Sequence, residues 1–501
     1  MRNMILLAAG IIATSGLAAS TAGPAAAAEH TGDAEHPGSA PFLWGASSAA
    51  FQVEGATSAE GRGKSIWDVY LDDEHLGQNN ASGRTAINFY DRRQYLKDIE
   101  LFRRMGLTSY RFSVAWPRII PDGTGKVNMR AVAHYRRFID DLRAAGIEPM
   151  LTLYHWDMPE SLAKAGGWDN RESIDWYAHY AKVVFDNFHD KVNLYVLVNE
   201  PLVESAYTNT VAERLAGRPG PFLLVPDADH LQVSLRRFNH ILLAAAAAKG
   251  EFNQAGYHGR LGVALPLFPI LTDKGATRAD AQAATLADGI VNRWFLDGLY
   301  KGAYPADVLK LASDMKLDID VHPGDAAQVT AAGLDFLGIN YYAPLFVRQR
   351  AGTQGYGAES FIPPLTDAAF NGPVRPDQFT AVLDRIRIEY ANPAVYITEN
   401  GAGFPGDDVL KNGVINDVRR CRYIVDHVAA MQKAMAKGAD VRGYHVWSSH
   451  DNLEWLSGYG SRFGMIYVDF DSQARISKES AKTYARIIQA GSPTGMSCPE
   501  D

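Results

Sequence analysis

Eight short apolar segments, separated by stretches with helical periodicity, constrain the fold of this 501-residue chain more than any other feature. Alternating strands and helices require a parallel sheet. Eight such units favour closure into a (β/α)8 barrel, also called a TIM barrel, over a doubly wound open sheet. The predicted strands cover residues 42–46, 109–114, 149–153, 194–198, 261–265, 336–339, 395–398 and 442–447.

The sequence also marks where several helices end. In YDRRQYLKDIELFRRMG, Tyr95, Ile99 and Phe102 fall on one face of a predicted helix, and Gly106 follows in position for a left-handed cap. An apolar strand segment comes next. The same order of helix, glycine and strand recurs at Gly146, Gly333 and Gly438.

The chain is longer than a bare barrel of about 250 residues, so the surplus is expected in long loops after the strands. No linker divides its middle, which predicts a single domain over residues 41–490 and a C-terminal tail at 491–501. At the start, Arg2 precedes a short apolar stretch and small residues that end near Ala28, a pattern typical of a signal peptide. Residues 1–28 are therefore predicted to direct export to a periplasm or the cell exterior. The alternative for this segment is a buried N-terminal helix. Residues 29–40 are predicted to form a polar lead into the fold.

Charge and cysteine content bear on partners and metal sites. The net charge is −8 without basic clusters, whereas nucleic acids and anionic membranes attract concentrated Lys and Arg, so neither is expected as a partner. Cys421 and Cys498 are the only cysteines. They allow one disulfide after export, which the sequence alone leaves open, and they provide no zinc-binding cluster.

Polar side chains gather at the predicted carboxyl ends of the strands, where barrel enzymes place their active sites. Glu200 ends the fourth strand and Glu399 the seventh, although either acid alone is more simply explained as a helix cap. The combination predicts a polar cleft with aromatic walls. The other polar and aromatic residues at or just after these strand ends are Gln52, Glu54, Arg111, His155, Trp156, Asp157, Asn199, Asn340, Tyr341, Tyr342, Asn400, Trp447, Asp451, Asn452, Glu454 and Trp455.

A cleft of this composition suits a carbohydrate. The apolar face of a sugar ring stacks on indole rings, and its hydroxyls need fixed polar partners such as Gln52, His155 and Glu454. Cleavage of a glycosidic bond needs one carboxyl to protonate the departing oxygen and a second to meet the positive charge at the anomeric carbon. Glu200 and Glu399 are the two candidates.

The segments that carry these residues resemble, in order, those of family 1 glycoside hydrolases of the retaining β-glucosidase type. The segments are GASSAAFQVEGA, YRFSVAWPRI, YHWDMP, GGW, VNEP, DFLGINYY, YITENG, GYHVWSSHDNLEW and GYGSRFGMIYVDF, and the resemblance covers about residues 42–484. It implies an enzyme that releases terminal β-D-glucosyl units from a β-glucoside or a short oligosaccharide through a covalent glycosyl-enzyme intermediate. No metal and no organic cofactor are implied.

The resemblance also implies roles for individual residues. Glu399 is expected to be the nucleophile and Glu200 the general acid/base, with their carboxyls ~5–5.5 Å apart. Arg111 and Tyr342 are expected to keep Glu399 ionised, whereas a neighbouring carboxylate and a partly apolar wall keep a proton on Glu200. Asn340 is expected to support this pair. The residues implied to bind the sugar are Gln52, His155, Trp156, Asn199, Tyr342, Trp447, Glu454 and Trp455.

Alternatives stay open at this point. The same residues suit a β-galactosidase, a β-fucosidase or a transglycosidase, and a non-catalytic sugar-binding barrel or a metal-dependent hydrolase comes from other classes. Glu454 favours an unphosphorylated sugar over a 6-phospho-sugar, and Glu200 favours an O-glycoside over a thioglucoside. On the leaving-group side the chain departs from the family, with Leu202 after VNEP and FNGPVRP where a tryptophan is common. The leaving group and the oligomeric state therefore stay open.

Overall fold

The computed structural model describes residues 41–218, 222–350, 357–363 and 368–499, and its central element is a closed barrel of eight parallel strands. Each strand pairs with the next along the chain, and the last closes the ring on the first. The predicted (β/α)8 fold and all eight predicted strands are confirmed. The strands are β1 (Leu43–Ser47), β2 (Ser109–Ser113), β3 (Glu148–Tyr154), β4 (Leu194–Asn199), β5 (Arg260–Pro266), β6 (Phe336–Tyr341), β7 (Val395–Asn400) and β8 (Val441–Trp447).

Helices surround this barrel. The longer ones are Arg92–Met105, Met129–Ala144, Ser173–Phe188, Pro201–Leu215, Ala228–Gln254, Arg278–Asp288, Trp294–Tyr300, Ala306–Asp314, Asp325–Ala331, Pro376–Glu389, Val418–Met435 and Glu479–Ala490. Short α-helical turns cover Ala50–Val53, Ile66–Asp68, Trp116–Ile119 and Glu160–Lys164. Other turns are 3-10 or π helical, at Ala59–Gly61, Val69–Asp73, Gln78–Asn80, Gly167–Asp169, Gly289–Arg293 and Trp455–Ser457.

The surplus length lies in loops that follow the strands, as predicted. Four small sheets lie within these loops. One has three strands, Ile270–Leu271, Leu345–Gln349 and Ala358–Phe361. The others are pairs: Ala368–Ala369 with Gly372–Pro373, Leu410–Lys411 with Val414–Ile415, and Ile466–Val468 with Arg475–Ser477.

The predicted helix end before β2 is also confirmed. In helix Arg92–Met105 the predicted face, with Tyr95 and Phe102, is buried. Gly106 follows with φ of 78°, and its N–H donates to the carbonyls of Phe102 and Arg103. Because a side chain at this left-handed position would be strained, glycine lets the chain turn directly into the barrel.

The two ends of the chain differ in what the structure describes. The predicted signal peptide at 1–28 and polar lead at 29–40 lie outside the described residues, so they stay predictions, as does the domain boundary at 490. At the other end, Cys498 forms a disulfide with Cys421 of helix Val418–Met435, with 5.8 Å between their Cα atoms. This bond ties the C-terminal segment to the barrel. In the part of the chain that the structure describes, no helix is long and apolar enough to cross a membrane.

The strands that carry or directly precede the two candidate acids are irregular at their carboxyl ends. In β7 the pairing register against β6 shifts between Ile397 and Glu399. In β4 the register against β5 shifts between Val196 and Asn199. A bulge of this kind breaks the regular alternation of side chains and redirects one of them. These shifts place Asn199 and Glu399 at the open end of the barrel.

Candidate active site

A pocket of about 410 Å³ opens at the carboxyl end of the barrel and unites the predicted site residues. Eight of them line it: His155, Trp156, Glu200, Tyr342, Glu399, Trp447, Glu454 and Trp455. The other four lie directly behind the lining, and each hydrogen-bonds to a residue that lines the pocket: Gln52, Arg111, Asn199 and Asn340. The structure therefore brings all the predicted site residues together.

Three lining residues have strained backbone conformations. Glu200, between β4 and helix Pro201–Leu215, has φ of 45° and ψ of 67°. Trp156 and Trp455 have φ of 71° and 46°. A non-glycine residue in this region costs of order 1–3 kcal/mol, and the proline after Glu200 restricts its backbone further. Such strain concentrates at functional sites, because the surrounding fold holds the side chain where chemistry needs it.

Glu399 is held by two donors. Nη1 of Arg111 lies 2.5 Å from its Oε1, and the Tyr342 hydroxyl donates to its Oε2 at 2.6 Å. Arg111 is fully buried, and its Nε also donates to the Thr152 hydroxyl at 3.1 Å, which fixes the guanidinium. Burial raises the pKa of the Glu399 carboxyl, whereas the charge of Arg111 and both hydrogen bonds oppose that rise.

Glu200 has a different environment in the same pocket. Its Oε1 accepts a hydrogen bond from Nδ2 of Asn340 at 2.8 Å. Burial raises the pKa of Glu200 well above its usual value, and the charge of Glu399 raises it further. The two buried carboxyls compete for protons, and the guanidinium and phenol favour ionisation of Glu399. The pair therefore holds its last proton on Glu200.

A chain of hydrogen bonds sets the tautomer of His155. Arg111 can only donate, and its Nη2 lies 2.6 Å from Oδ1 of Asn199, which must therefore be the amide oxygen. Asn340 donates to the same oxygen at 3.0 Å. Nδ2 of Asn199 must therefore face Nε2 of His155, 3.2 Å away. Burial and the charge of Arg111 lower the pKa of His155 well below its usual value, so the ring is neutral. Nε2 accepts, and the ring proton is on Nδ1.

Gln52 presents a free acceptor beside Glu454. Its Nε2 donates to the Leu453 carbonyl at 2.8 Å and to Oδ1 of Asn452 at 3.1 Å, with Oε2 of Glu454 at 3.5 Å. Oε1 of Gln52 and Nδ1 of His155 are both buried without a hydrogen-bond partner among the described residues. Buried polar atoms are normally satisfied, so these two atoms beside the pocket are available to polar groups of a ligand. Burial and the charge of Glu399 raise the pKa of Glu454 to about 8.

Indole rings form the apolar part of the inner pocket. Trp447 and Trp455 stack on the His155 ring, with centroids 5.8 and 5.9 Å away and planes inclined by 21° in both cases. Trp156 packs on Trp455 at 4.7 Å. All three tryptophans are buried, so their rings are held rigidly. They provide a fixed apolar surface on which a sugar ring can stack.

Other polar residues at the strand ends do not line the pocket. Glu54 accepts from Nε of Arg118 at 2.6 Å, and Asp451 accepts from Lys478 at 2.7 Å. Asp157 is buried away from the pocket, and burial raises its pKa to about 8. Throughout the described ranges, no group of three or more His, Cys, Asp or Glu side chains is placed to hold a metal ion.

The outer part of the pocket is not predicted by the strand-end pattern. Its residues come from loops and from helix Pro201–Leu215, where no periodicity indicates which side chains face a cleft. One signal is present in the sequence, because two of these residues belong to the segment FNGPVRP, where the chain departs from the family that it resembles. The residues are Val203, Tyr207, Phe222, Leu224, Phe268, Phe370, Asn371, Ser457, Ser461 and Phe463.

Comparisons with known proteins agree with this arrangement. The model of the family described as "Glycosyl hydrolase family 1" matches residues 36–492. A β-glucosidase A from Enterobacter agglomerans is 58% identical over 462 residues, which cover 92% of this chain and 96% of that one. A β-glucosidase A from Thermotoga maritima is 35% identical over 453 residues, which cover 89% and 97%.

The structural comparison gives the same result. The solved structure of a β-glucosidase from Thermotoga maritima in complex with castanospermine matches this chain with a TM-score of 0.80. The two sequences are 34% identical, and the match covers 92% of this chain and 98% of that one. Sequence, fold and pocket agree, and the chain belongs to glycosyl hydrolase family 1.

Proposed function

We propose that this chain is a retaining β-glucosidase that releases terminal, non-reducing β-D-glucosyl units. The observation that carries the proposal is the pair of buried carboxyls in one pocket, whose surroundings favour a proton on Glu200 and a charge on Glu399. Retaining hydrolysis needs one protonated and one ionised carboxyl at the glycosidic bond. The high identity to the Enterobacter agglomerans β-glucosidase A supports glucose as the sugar.

The first step forms a glycosyl-enzyme intermediate. The carboxylate of Glu399 attacks the anomeric carbon and forms an ester bond while the bond to the leaving oxygen breaks. Glu200 gives its proton to that oxygen, so the leaving group departs as a neutral alcohol. Arg111 and Tyr342 lie on the attacking carboxyl and hold its two oxygens in place.

The second step reverses these roles. Once Glu399 is esterified it carries no charge, so it no longer raises the pKa of Glu200. Glu200, now ionised, takes a proton from water as the water oxygen attacks the anomeric carbon and the ester bond breaks. Glucose leaves in the β configuration, Glu399 recovers its charge, and Glu200 is again protonated.

Sugar recognition follows from the unpaired atoms of the inner pocket. Nδ1 of His155 donates to one sugar hydroxyl and Oε1 of Gln52 accepts from another, while Glu454 provides further acceptors. Trp447 offers its face to the ring. Each unpaired atom that a hydroxyl satisfies is worth roughly 1–3 kcal/mol. The described lining of the pocket presents no Lys or Arg side chain that could hold a phosphate, so the proposed substrate is an unphosphorylated glucoside.

The configuration of the first product tests the proposal. The wild-type enzyme is incubated with phenyl β-glucoside, β-galactoside and β-fucoside, and the anomeric proton of the released sugar is followed by NMR. We expect the glucoside to react fastest and β-glucose to form before the α anomer. Initial release of α-glucose, or faster turnover of the galactoside, would contradict the proposal.

Replacement of Glu200 by Ala tests its role as the acid. Proton donation is worth roughly 10²–10⁴-fold when the leaving group is a poor one and little when it is strongly activated. We therefore expect a much larger loss of kcat/KM with methyl β-glucoside than with 2,4-dinitrophenyl β-glucoside. Glu204→Gln, on the same helix, is the matched control and should affect both substrates equally. Equal losses in the Glu200→Ala variant would argue against the acid role.

We also propose that the protein is exported. The N-terminal pattern around Arg2 supports removal of residues 1–28. The bond between Cys421 and Cys498 also supports export, because disulfides persist in oxidising compartments. N-terminal sequencing of the protein recovered outside the cytoplasm should begin near residue 29. Recovery of the full-length chain from the cytoplasm alone would contradict this.

A further inference from the structure

The outer part of the pocket exposes large aromatic side chains. Phe222 and Phe370 both line the pocket, and each exposes 41% of its surface. Exposed aromatic side chains at the mouth of a cleft are available to a ligand that binds there. The sugar-binding residues lie deeper, so the group that these rings contact is the one on the far side of the bond that is cleaved.

Phe222 stands at the outer end of a row of aromatic rings. It contacts Tyr207, with 4.7 Å between ring centroids, and Tyr207 contacts Trp156 at 5.5 Å. Trp156 packs in turn on Trp455, which belongs to the inner pocket. The apolar wall is therefore continuous from the sugar site to Phe222.

Phe370 is connected to the reaction centre by a second row. It lies 6.1 Å from Phe463, and Phe463 lies 6.4 Å from Tyr342. Tyr342 is the donor to Glu399. An aromatic group that leaves the anomeric carbon beside Glu399 would thus meet aromatic side chains directly.

The backbone holds Phe370 in this position. Residues 370 and 371 form the tip of the hairpin in which Ala369 pairs with Gly372. The Phe370 N–H donates to the carbonyl of Gly403 at 2.9 Å, and a Cβ added to Gly403 would lie 2.5 Å from Cδ2 of the phenyl ring. The same Cβ would lie 2.5 Å from the Arg462 carbonyl oxygen, so glycine at this position leaves room for both that carbonyl and the Phe370 ring.

The polar groups of this outer part are few. Beyond the acid and sugar-binding residues, the described lining carries the side chains of Asn371, Ser457 and Ser461 and the Tyr207 hydroxyl. A second sugar would bring several hydroxyls, and each one left without a partner costs free energy. A flat apolar ring needs no such partners. The remaining outer residues are Val203, Phe222, Leu224, Phe268, Phe370 and Phe463.

We infer that Phe222 and Phe370 form the leaving-group site and that this site selects β-glucosides of flat aromatic alcohols over glucosyl-glucose disaccharides. The inference rests on the proposed β-glucosidase function. It also specifies which acceptors the glycosyl-enzyme takes in place of water. An aromatic alcohol bound between these rings gives its proton to Glu200, its oxygen bonds to the anomeric carbon, and the ester to Glu399 breaks.

Acceptor partitioning tests the site without interference from leaving-group chemistry. One activated donor, 2,4-dinitrophenyl β-glucoside, generates the same intermediate in every experiment. Benzyl alcohol and methyl β-glucoside then compete with water, and chromatography measures the ratio of the two transfer products. We compare wild type with Phe222→Ala and Phe370→Ala. The matched control is Phe361→Ala, which changes a phenylalanine of the small three-stranded sheet outside the pocket.

We expect the wild type to prefer benzyl alcohol over the sugar acceptor. Each of the two pocket variants should lower this preference by about 5- to 10-fold, the typical effect of one aromatic contact, and the control should keep it. In the same variants the KM for phenyl β-glucoside should rise by a larger factor than the KM for cellobiose. Equal acceptor preferences in wild type and both variants would overturn the inference. Failure of the proposed function would show separately, as a wild type that hydrolyses no β-glucoside.

Discussion

Replacement of Tyr342 by Phe removes one hydroxyl and tests how Glu399 is kept ionised. The hydroxyl donates to Oε2 of Glu399 at 2.6 Å in a buried pocket, and Arg111 remains on the other oxygen. A hydrogen bond to a charged group contributes about 1.5–3 kcal/mol. Since one pKa unit corresponds to about 1.4 kcal/mol, its loss should raise the pKa of Glu399 by about 1–2 units.

The sign of the effect on activity follows. Tyr342→Phe destabilises the anion, so at any acidic pH a smaller fraction of Glu399 is ionised and able to attack. The acid limb of the kcat/KM profile should move to higher pH by about 1–2 units, because this limb reports the first proton lost by the pair with Glu200. The pH at the midpoint of this limb is measured from kcat/KM for an aryl β-glucoside between acidic and neutral pH.

Tyr341→Phe is the matched control. Tyr341 precedes Tyr342 and is also buried, but its hydroxyl donates to the Arg375 carbonyl, 2.7 Å away. This variant should lose a comparable hydrogen bond without moving the acid limb. If the Tyr342→Phe profile coincided with wild type, or if both variants moved it equally, the hydroxyl would not be what keeps Glu399 ionised.

Three further predictions concern other groups. Asn340→Ala removes a hydrogen bond that lowers the pKa of Glu200, so the basic limb of the pH profile should move to higher pH; no movement would contradict this. Burial raises the pKa of Glu204 to about 7 in the folded protein, whereas in the unfolded protein its pKa is near 4.5. Between these pH values the folded protein holds a proton that the unfolded protein has lost, so the free energy of unfolding falls as pH rises. Glu204→Gln should therefore stabilise the protein by about 3 kcal/mol above neutral pH and little at pH ~4, as chemical denaturation would measure. Reduction of Cys421–Cys498, with a sequence separation of 77, should cost about 4 kcal/mol and lower Tm by about 4 °C in calorimetry; an unchanged Tm would show that the bond does not stabilise the fold.

The sequence is sufficient to predict the barrel and the inner pocket because both depend on local patterns. A short apolar run before a polar residue marks a strand end, and parallel strands in a barrel bring their carboxyl ends to one rim. Glu200 and Glu399 are far apart along the chain but end strands of the same sheet. Their convergence follows from topology alone.

Other features depend on contacts that no local pattern encodes. The proton on Nδ1 of His155 follows from Asn199, whose orientation is in turn set by Arg111 of another strand. Glu54 and Asp157 follow strand ends as the pocket residues do. Glu54, however, accepts a hydrogen bond from Arg118, and Asp157 is buried outside the pocket. These outcomes depend on side chains brought from distant segments, so they require the structure.

The outer pocket is unpredictable from sequence for a related reason. Phe222 and Phe370 lie in loops where no periodicity relates one side chain to the next. Phe370 lines the pocket from a hairpin tip that is bonded, through its N–H, to the carbonyl of Gly403 in another loop. Sequence shows only that a common tryptophan is missing from this region, and it does not show what replaces it.

Covalent labelling of Glu399 tests the central claim most directly. The enzyme is incubated with 2,4-dinitrophenyl 2-deoxy-2-fluoro-β-glucoside. The fluorine slows both formation and breakdown of the ester, and the activated phenol makes formation the faster of the two. The ester therefore accumulates. Mass spectrometry of the digested protein then locates the sugar. The account predicts one fluoroglucosyl group, on the peptide that contains Glu399. An unlabelled protein that still turns over substrate, or a label on any other residue, would contradict it.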